Sequence, residues 1–103
     1  LNTLPKAYLT YYISRREVKN GRYYLDLRIS NKGETPAFAL RCRLIEKESS
    51  KRILPVIQSE NYITLMPGEV KTVFFEFEDS SHFNQTSVQA CVKQYGYTEE
   101  IID

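Results

Sequence analysis

The sequence predicts an all-β chain, an immunoglobulin-like antiparallel two-sheet sandwich of about seven strands. Three observations predict it. Apolar residues recur with a period of two almost everywhere. Turn signals separate these stretches roughly every ten residues, the rhythm of a sandwich. The spacers are too short to hold crossover helices, so neighbouring strands should run antiparallel. Eight tyrosines and five phenylalanines, with many β-branched residues, favour strands as well.

Taken in order, Tyr8 to Val18 reads as a first strand with Leu9, Tyr11 and Ile13 on one side. Asn20-Gly21 is a hairpin signal, because both residues tolerate the positive φ of a tight turn. Arg22 to Asn31 alternates most clearly: Tyr23, Leu25, Leu27 and Ile29 face in, while Tyr24, Asp26, Arg28 and Ser30 face out. Asn31-Lys32-Gly33-Glu34 and Pro36 end it. Ala37 to Lys47 is the third strand, with Phe38, Leu40, Cys42 and Leu44 as its inward set. Glu48-Ser49-Ser50-Lys51 is a polar turn. Arg52 to Gln58 is short and interrupted by Pro55, which suits a sheet edge. Asn61 to Leu65 stays extended, and Met66-Pro67-Gly68-Glu69 has the Pro-Gly order of a type II turn. Val70 to Glu78 is a strand, Asp79 to Gln85 a loop with room for one helical turn, and Thr86 to Tyr95 a strand. Gly96 breaks it before a last short strand within Tyr97 to Ile102. The expected core is Leu9, Tyr11, Ile13, Tyr23, Leu25, Leu27, Ile29, Phe38, Leu40, Leu44, Val73, Phe75, Phe77, Val88, Ala90 and Val92.

At 103 residues the chain fits one domain. It can bury roughly two-thirds of its unfolded surface and so needs no metal or disulfide to fold. With 42% apolar and 26% charged residues it reads as globular. Fourteen basic against thirteen acidic residues leave a charge of +1, which is not the footprint of a dedicated nucleic-acid binder. No apolar run is long enough to span a bilayer as a helix. The start, Leu1-Asn2-Thr3-Leu4-Pro5, is not a signal peptide, and the absence of an initial methionine reads as a piece of a longer polypeptide. By strand parity Cys42 points inward and Cys91 outward. Their Cβ atoms then diverge, so two free thiols are expected.

No residue set stands out as a reaction centre. His82 is the only histidine and sits in a loop beside Ser80 and Ser81, with no second imidazole for zinc and no orienting motif for a nucleophile. The four glycines form no phosphate-cradling cluster. Asp26, Glu60, Glu76 and Glu78 alternate with apolar residues as solvated faces do, rather than facing each other across a cleft. Arg41 and Arg43 share an outward face, which Lys93 joins if its strand pairs alongside. A phosphate or anionic-sugar patch is one reading of them, and an ordinary charged face or an interdomain salt-bridge surface is favoured. Asn84-Gln85-Thr86 matches a glycosylation sequon, a pattern common by chance. The outward aromatics Tyr8, Tyr12, Tyr24 and Phe74 carry more weight as candidate glycan or interdomain contacts. They could stack on sugar rings, but packing against a neighbouring domain is preferred.

The stretch Ile53-Leu54-Pro55-Val56-Ile57-Gln58-Ser59-Glu60-Asn61-Tyr62-Ile63-Thr64-Leu65-Met66-Pro67-Gly68-Glu69, with Leu27-Arg28-Ile29-Ser30-Asn31 and Ala37-Phe38 before it, resembles the C-terminal immunoglobulin-like domains of glycoside hydrolase family 2 enzymes. The similarity is to those of β-mannosidases and exo-β-glucosaminidases. Glu60 stands where that pattern usually has aspartate, and Gly96-Tyr97-Thr98 replaces its G-W-N. In such a domain, Pro67-Gly68 would set a turn, Asn61 would bond backbone groups at a strand crossing, and Leu54, Val56 and Leu65 would fill the core. The resemblance implies that residues 1–6 are a linker from a preceding domain and 7–103 the sandwich itself. It also implies a glycoside hydrolase parent, acting on substrates such as β-mannosides or β-glucosaminides, whose catalytic glutamates lie on a separate barrel. No catalytic, cofactor or metal residue is therefore assigned here. The expected partners are other domains of the same polypeptide and, secondarily, carbohydrate; neither nucleic acid nor membrane is expected. Family resemblance suggests a periplasmic or secreted bacterial parent, while free thiols pull the other way. The rival readings are a carbohydrate-binding module that uses exposed tyrosines and a domain of a surface adhesion protein.

Overall fold

The computed structural model describes residues 5–78 and 87–103. Eight strands follow in order: β1 (Leu9–Lys19), β2 (Arg22–Asn31), β3 (Ala37–Glu46), β4 (Ile57–Gln58), β5 (Tyr62–Leu65), β6 (Val70–Glu78), β7 (Val88–Lys93) and β8 (Glu100–Ile102). They make two four-stranded sheets, ordered β1-β2-β6-β4 and β5-β3-β7-β8, with every pairing antiparallel. The chain thus forms the two-sheet sandwich its periodicity predicts, with eight strands in place of about seven. The loop read over Asp79 to Gln85, His82, the sequon at Asn84, the strand start at Thr86 and the first four residues of the linker lie outside the described residues.

Local sequence explains the tight connections. Asn20 and Gly21 have φ of 51° and 74°, the two positive values that a type I′ hairpin between β1 and β2 demands. Gly68 sits at φ 82° behind Pro67, and Glu69 N–H donates to Met66 O at 3.0 Å, closing the predicted type II turn. The Arg52 to Gln58 segment is shared between sheets. Arg52 bridges Ile45 of the second sheet, whereas Ile57–Gln58 pair with Glu76 and Phe75 at the edge of the first. Pro55 lies in the crossing, where the missing N–H costs no ladder bond.

The core lies between the sheets. Tyr23, Leu25, Leu27 and Ile29 from β2 and Val73, Phe75 and Phe77 from β6 meet Leu40, Cys42 and Leu44 from β3 and Val88, Ala90 and Val92 from β7. Tyr23 and Phe77, opposite each other in the ladder, stack with centroids 4.8 Å apart. Tyr11 and Ile13 reach only the core margin, half-buried.

Two bulges reset the parity that the sequence assigns. In β1 the register with β2 slips between Ile13 and Arg15. Ser14 absorbs the extra position, so Arg15 turns outward and Arg16 inward, where its guanidinium donates to Val88 O at 2.7 Å. In β3 the register with β5 slips between Ala37 and Leu40, and Ala39 adopts φ 51°. Ala37 is consequently buried and Phe38 is 51% exposed, against its expected place in the core. Leu54 is likewise 67% exposed, because it sits on the crossing between sheets; Ile53 goes in instead.

Candidate interaction surfaces

The outer face of the first sheet carries most of the aromatics singled out from the sequence. Their positions follow from the ladder. Tyr12 of β1 lies opposite Arg28 of β2, and Arg28 lies opposite Thr72 of β6. Phe74 of β6 lies opposite Asp26, and Asp26 lies opposite Arg15. Tyr24 lies between Glu17 and Glu76, with exposed Ile57 of β4 beyond Glu76. Tyr12 and Phe74 are both more than half exposed, yet β2 separates them by two strand spacings, about 10 Å. Tyr24 is half-buried, and the Arg15 guanidinium lies 4.8 Å over its ring. One face of that ring is therefore already occupied. Tyr8 precedes β1, exposed, against Gly33: a Cβ added there would stand 3.1 Å from the Tyr8 Cβ. The structure thus gathers Tyr12, Tyr24 and Phe74 on one face and leaves Tyr8 at its end. The result is a broad mixed surface rather than a row of parallel rings.

The acids of this face are engaged by bases. Arg22 holds Glu76 at 3.0 Å, and Arg15 holds Glu17 at 2.9 Å. Burial lifts Asp26 above the ordinary carboxylate range, opposed by the charge of Arg15.

The outer face of the second sheet is basic. Arg41 lies opposite Lys93 of β7 on one side and Tyr62 of β5 on the other. Arg43 lies opposite Cys91, which in turn lies opposite Ile101. Arg41, Arg43, Arg52, Lys93 and Glu99 line one recess of about 370 Å³. Arg43 grips Glu99 with both ends of its fork, Nε to Oε2 at 2.8 Å and NH2 to Oε1 at 2.7 Å. That pairing, with Arg41 and Lys93 adding to it, holds Glu99 below the usual carboxylate range. Lys93 therefore does join Arg41 and Arg43. Arg52 and Glu99 join them as well, which strand parity could not show, because both sit outside regular strands.

Both cysteines are free. Cys42 is in the core, and its thiol is pushed up to about 12, by burial first and then by Glu60. Cys91 stands on the outward face, as parity predicts, yet it is fully buried beneath its strand neighbours. Burial first, and Glu99 next, raise it to about 11 against the opposing pull of Arg43. Neither thiol is a nucleophile at neutral pH.

Polar clamps tie the chain ends and turns to this frame. Gln94 donates to Ala7 O at 3.0 Å and accepts from Ala7 N–H at 2.9 Å. The crossing role expected of Asn61 falls elsewhere: Asn61 is exposed, with no hydrogen bond among the described residues. Gln58 donates instead to Cys42 O at 3.3 Å and Glu60 O at 2.8 Å, and Ser59 Oγ accepts from Phe74 N–H at 3.0 Å. Among the described residues no group of three or more His, Cys, Asp or Glu gathers to hold a metal, and no helix is long and apolar enough to cross a membrane.

Comparison with known proteins gives a consistent picture. The family model described as the exo-beta-D-glucosaminidase Ig-fold domain matches residues 1–92. An exo-beta-D-glucosaminidase of Arthroderma benhamiae is 39% identical over 49 residues, 48% of this chain and 6% of that protein. The crystal structure of the Amycolatopsis orientalis exo-chitosanase CsxA superposes with a TM-score of 0.81 at 16% identity, over 94% of this chain and 11% of that one. A beta-glucosidase from Kluyveromyces marxianus reaches a TM-score of 0.50 at 16% identity. The chain thus spans only a small fraction of the length of the relatives it matches.

Proposed function

The chain belongs to the exo-beta-D-glucosaminidase Ig-fold domain family, and from that premise we propose that it is a non-catalytic accessory domain of a multidomain glycoside hydrolase. Its work is to pack against other domains of the parent and hold them in place. One observation carries this reading most: a family model of a single domain spans residues 1–92, while the matched relatives are many times longer. The exposed Tyr12, Phe74 and Ile57 on one sheet face supply apolar area of the kind that a neighbouring domain covers. The parent's chemistry is proposed as hydrolysis of β-glucosaminides, as the names of the matched relatives suggest. A β-mannosidase parent is the alternative that the motif pattern leaves open.

The rival, a carbohydrate-binding module, would need rings free to stack on sugar. Arg15 over Tyr24 takes up one face of that ring and weighs against it. The test is affinity electrophoresis of the 103-residue chain in gels containing chitosan or mannan, with a glucosaminide hydrolysis assay alongside. The accessory reading expects neither retardation nor turnover. Retardation that disappears in Tyr12→Ala would make the chain a binding module instead.

A further inference from the structure

The basic recess on the second sheet has a property that a solvated charged face does not require. Arg41 and Lys93 are directly opposite each other in the β3–β7 ladder. Like charges at that spacing repel and weaken the sheet. Arg52 is brought to the same recess by the Ile45–Arg52 bridge. Glu99 is the one acid lining the recess, and both its oxygens are committed to Arg43. Among the described residues, no carboxylate is in salt-bridge contact with Arg41, Arg52 or Lys93, and Glu99 attracts Arg41 and Lys93 only at longer range. Asn61 and Tyr62 border the adjoining hollow that Arg41 and Arg52 also line, so an amide and a phenol stand beside the cations.

We propose that Arg41, Arg52 and Lys93 form a binding site for a single oxyanion, a carboxylate or a phosphate or sulfate group, seated in the recess beside the Arg43–Glu99 pair. The anion relieves the Arg41–Lys93 repulsion and takes charge-assisted hydrogen bonds from two guanidinium groups and one ammonium. The Arg43–Glu99 fork serves as a fixed wall. It spends one acid on one base and so leaves the other three cations for the ligand. The site is independent of the proposed accessory role, since it uses the opposite sheet from the aromatic face.

The experiment is an NMR titration of the 103-residue chain with sodium sulfate and, separately, sodium acetate, at constant ionic strength held by chloride. The site predicts saturable shifts confined to Arg41, Arg52, Lys93 and their neighbours. It also predicts binding weaker by about tenfold or more in an Arg52→Gln/Lys93→Gln double variant, the loss expected for two charge-assisted contacts. Lys32→Gln, an exposed lysine away from the recess, keeps the original affinity. All three positions are exposed, so an unchanged amide spectrum elsewhere confirms the fold of each variant. Tighter binding of sulfate identifies a phosphorylated or sulfated ligand. Equal or tighter binding of acetate identifies a carboxylate ligand. Shifts that grow linearly without saturation, or undiminished binding in the double variant, overturn the proposal.

Discussion

The side-chain amide of Asn31 donates to Leu65 O at 3.0 Å, joining the end of β2 in one sheet to the end of β5 in the other. The same amide donates to Thr35 O at 2.8 Å, and Oδ1 accepts from Gly33 N–H at 3.1 Å. The Asn31 backbone donates to Glu69 O and accepts from Gly68 N–H, each at 3.0 Å. Two stretches that looked like separate motifs in the sequence, Leu27 to Asn31 and Leu65 to Glu69, are therefore one hydrogen-bonded unit. Asn31→Ala should cost about 2–3 kcal/mol, since it removes the side-chain donor from the buried Leu65 carbonyl and the part-buried Thr35 carbonyl as well as losing the Oδ1 bond. Asn31→Leu should not recover it, because an apolar side chain leaves the same groups unpaired. Denaturant unfolding measures both, and a loss below about 0.5 kcal/mol, the scale of an ordinary surface change, would deny Asn31 this role.

The bulge in β3 makes an opposed pair of predictions. Ala39 holds a left-handed conformation that costs an L-residue about 1 kcal/mol, so Ala39→Gly should stabilise the chain by up to that amount. Phe38→Ser should cost less than about 0.5 kcal/mol because Phe38 is exposed, while Leu40→Ala should cost about 3 kcal/mol by opening a core cavity. A large loss from Phe38→Ser in the isolated chain would contradict the bulge.

The Arg43–Glu99 pair should show itself in the pH dependence of stability. Glu99 titrates lower in the folded chain than its ordinary value of 4.5, held down chiefly by the Arg43 hydrogen bonds. Its contribution is therefore complete above that value and drains away as pH falls through the folded one. The pair remains about a quarter exposed, which limits its net worth to about 1 kcal/mol. Glu99→Gln should lower stability by that much at pH 7 and by almost nothing near pH 3. Equal losses at the two pH values would mean that the charge of Glu99 is not what matters.

The thiols should be silent in the native state. Cys42 and Cys91 are buried and protonated at neutral pH, so a disulfide reagent such as Ellman's should react only at the rate of unfolding and then count two thiols per chain. Fast labelling of one thiol in native buffer would show that the cover over Cys91 opens.

Much of this fold was legible because alternation is a local signal. Tyr23, Leu25, Leu27 and Ile29 could be assigned inward from the sequence, and Asn20-Gly21 and Pro67-Gly68 announce their own φ values. What was not legible depends on register. Phe38 and Leu40 share parity in the sequence, and only pairing with β5 reveals the bulge that separates them. Asn31 read as the start of a turn, and its role as a cross-sheet clamp depends on a residue 34 positions away. The aromatics of the first sheet were visible one by one, while their spacing across β2 and the Arg15 stacked on Tyr24 came only with the ladder. Arg41 and Arg43 could be paired by parity, but Arg52 reaches them through a chain crossing that periodicity does not encode.

The proposed packing against a neighbouring domain would bury the outer face of the first sheet in the parent enzyme. Hydroxyl-radical footprinting of the intact parent and of the 103-residue chain alone decides it. Domain packing there gives strong oxidation of Tyr12 and Phe74 in the isolated chain and several-fold protection of both in the parent. Equal oxidation of these two residues in both forms would contradict it.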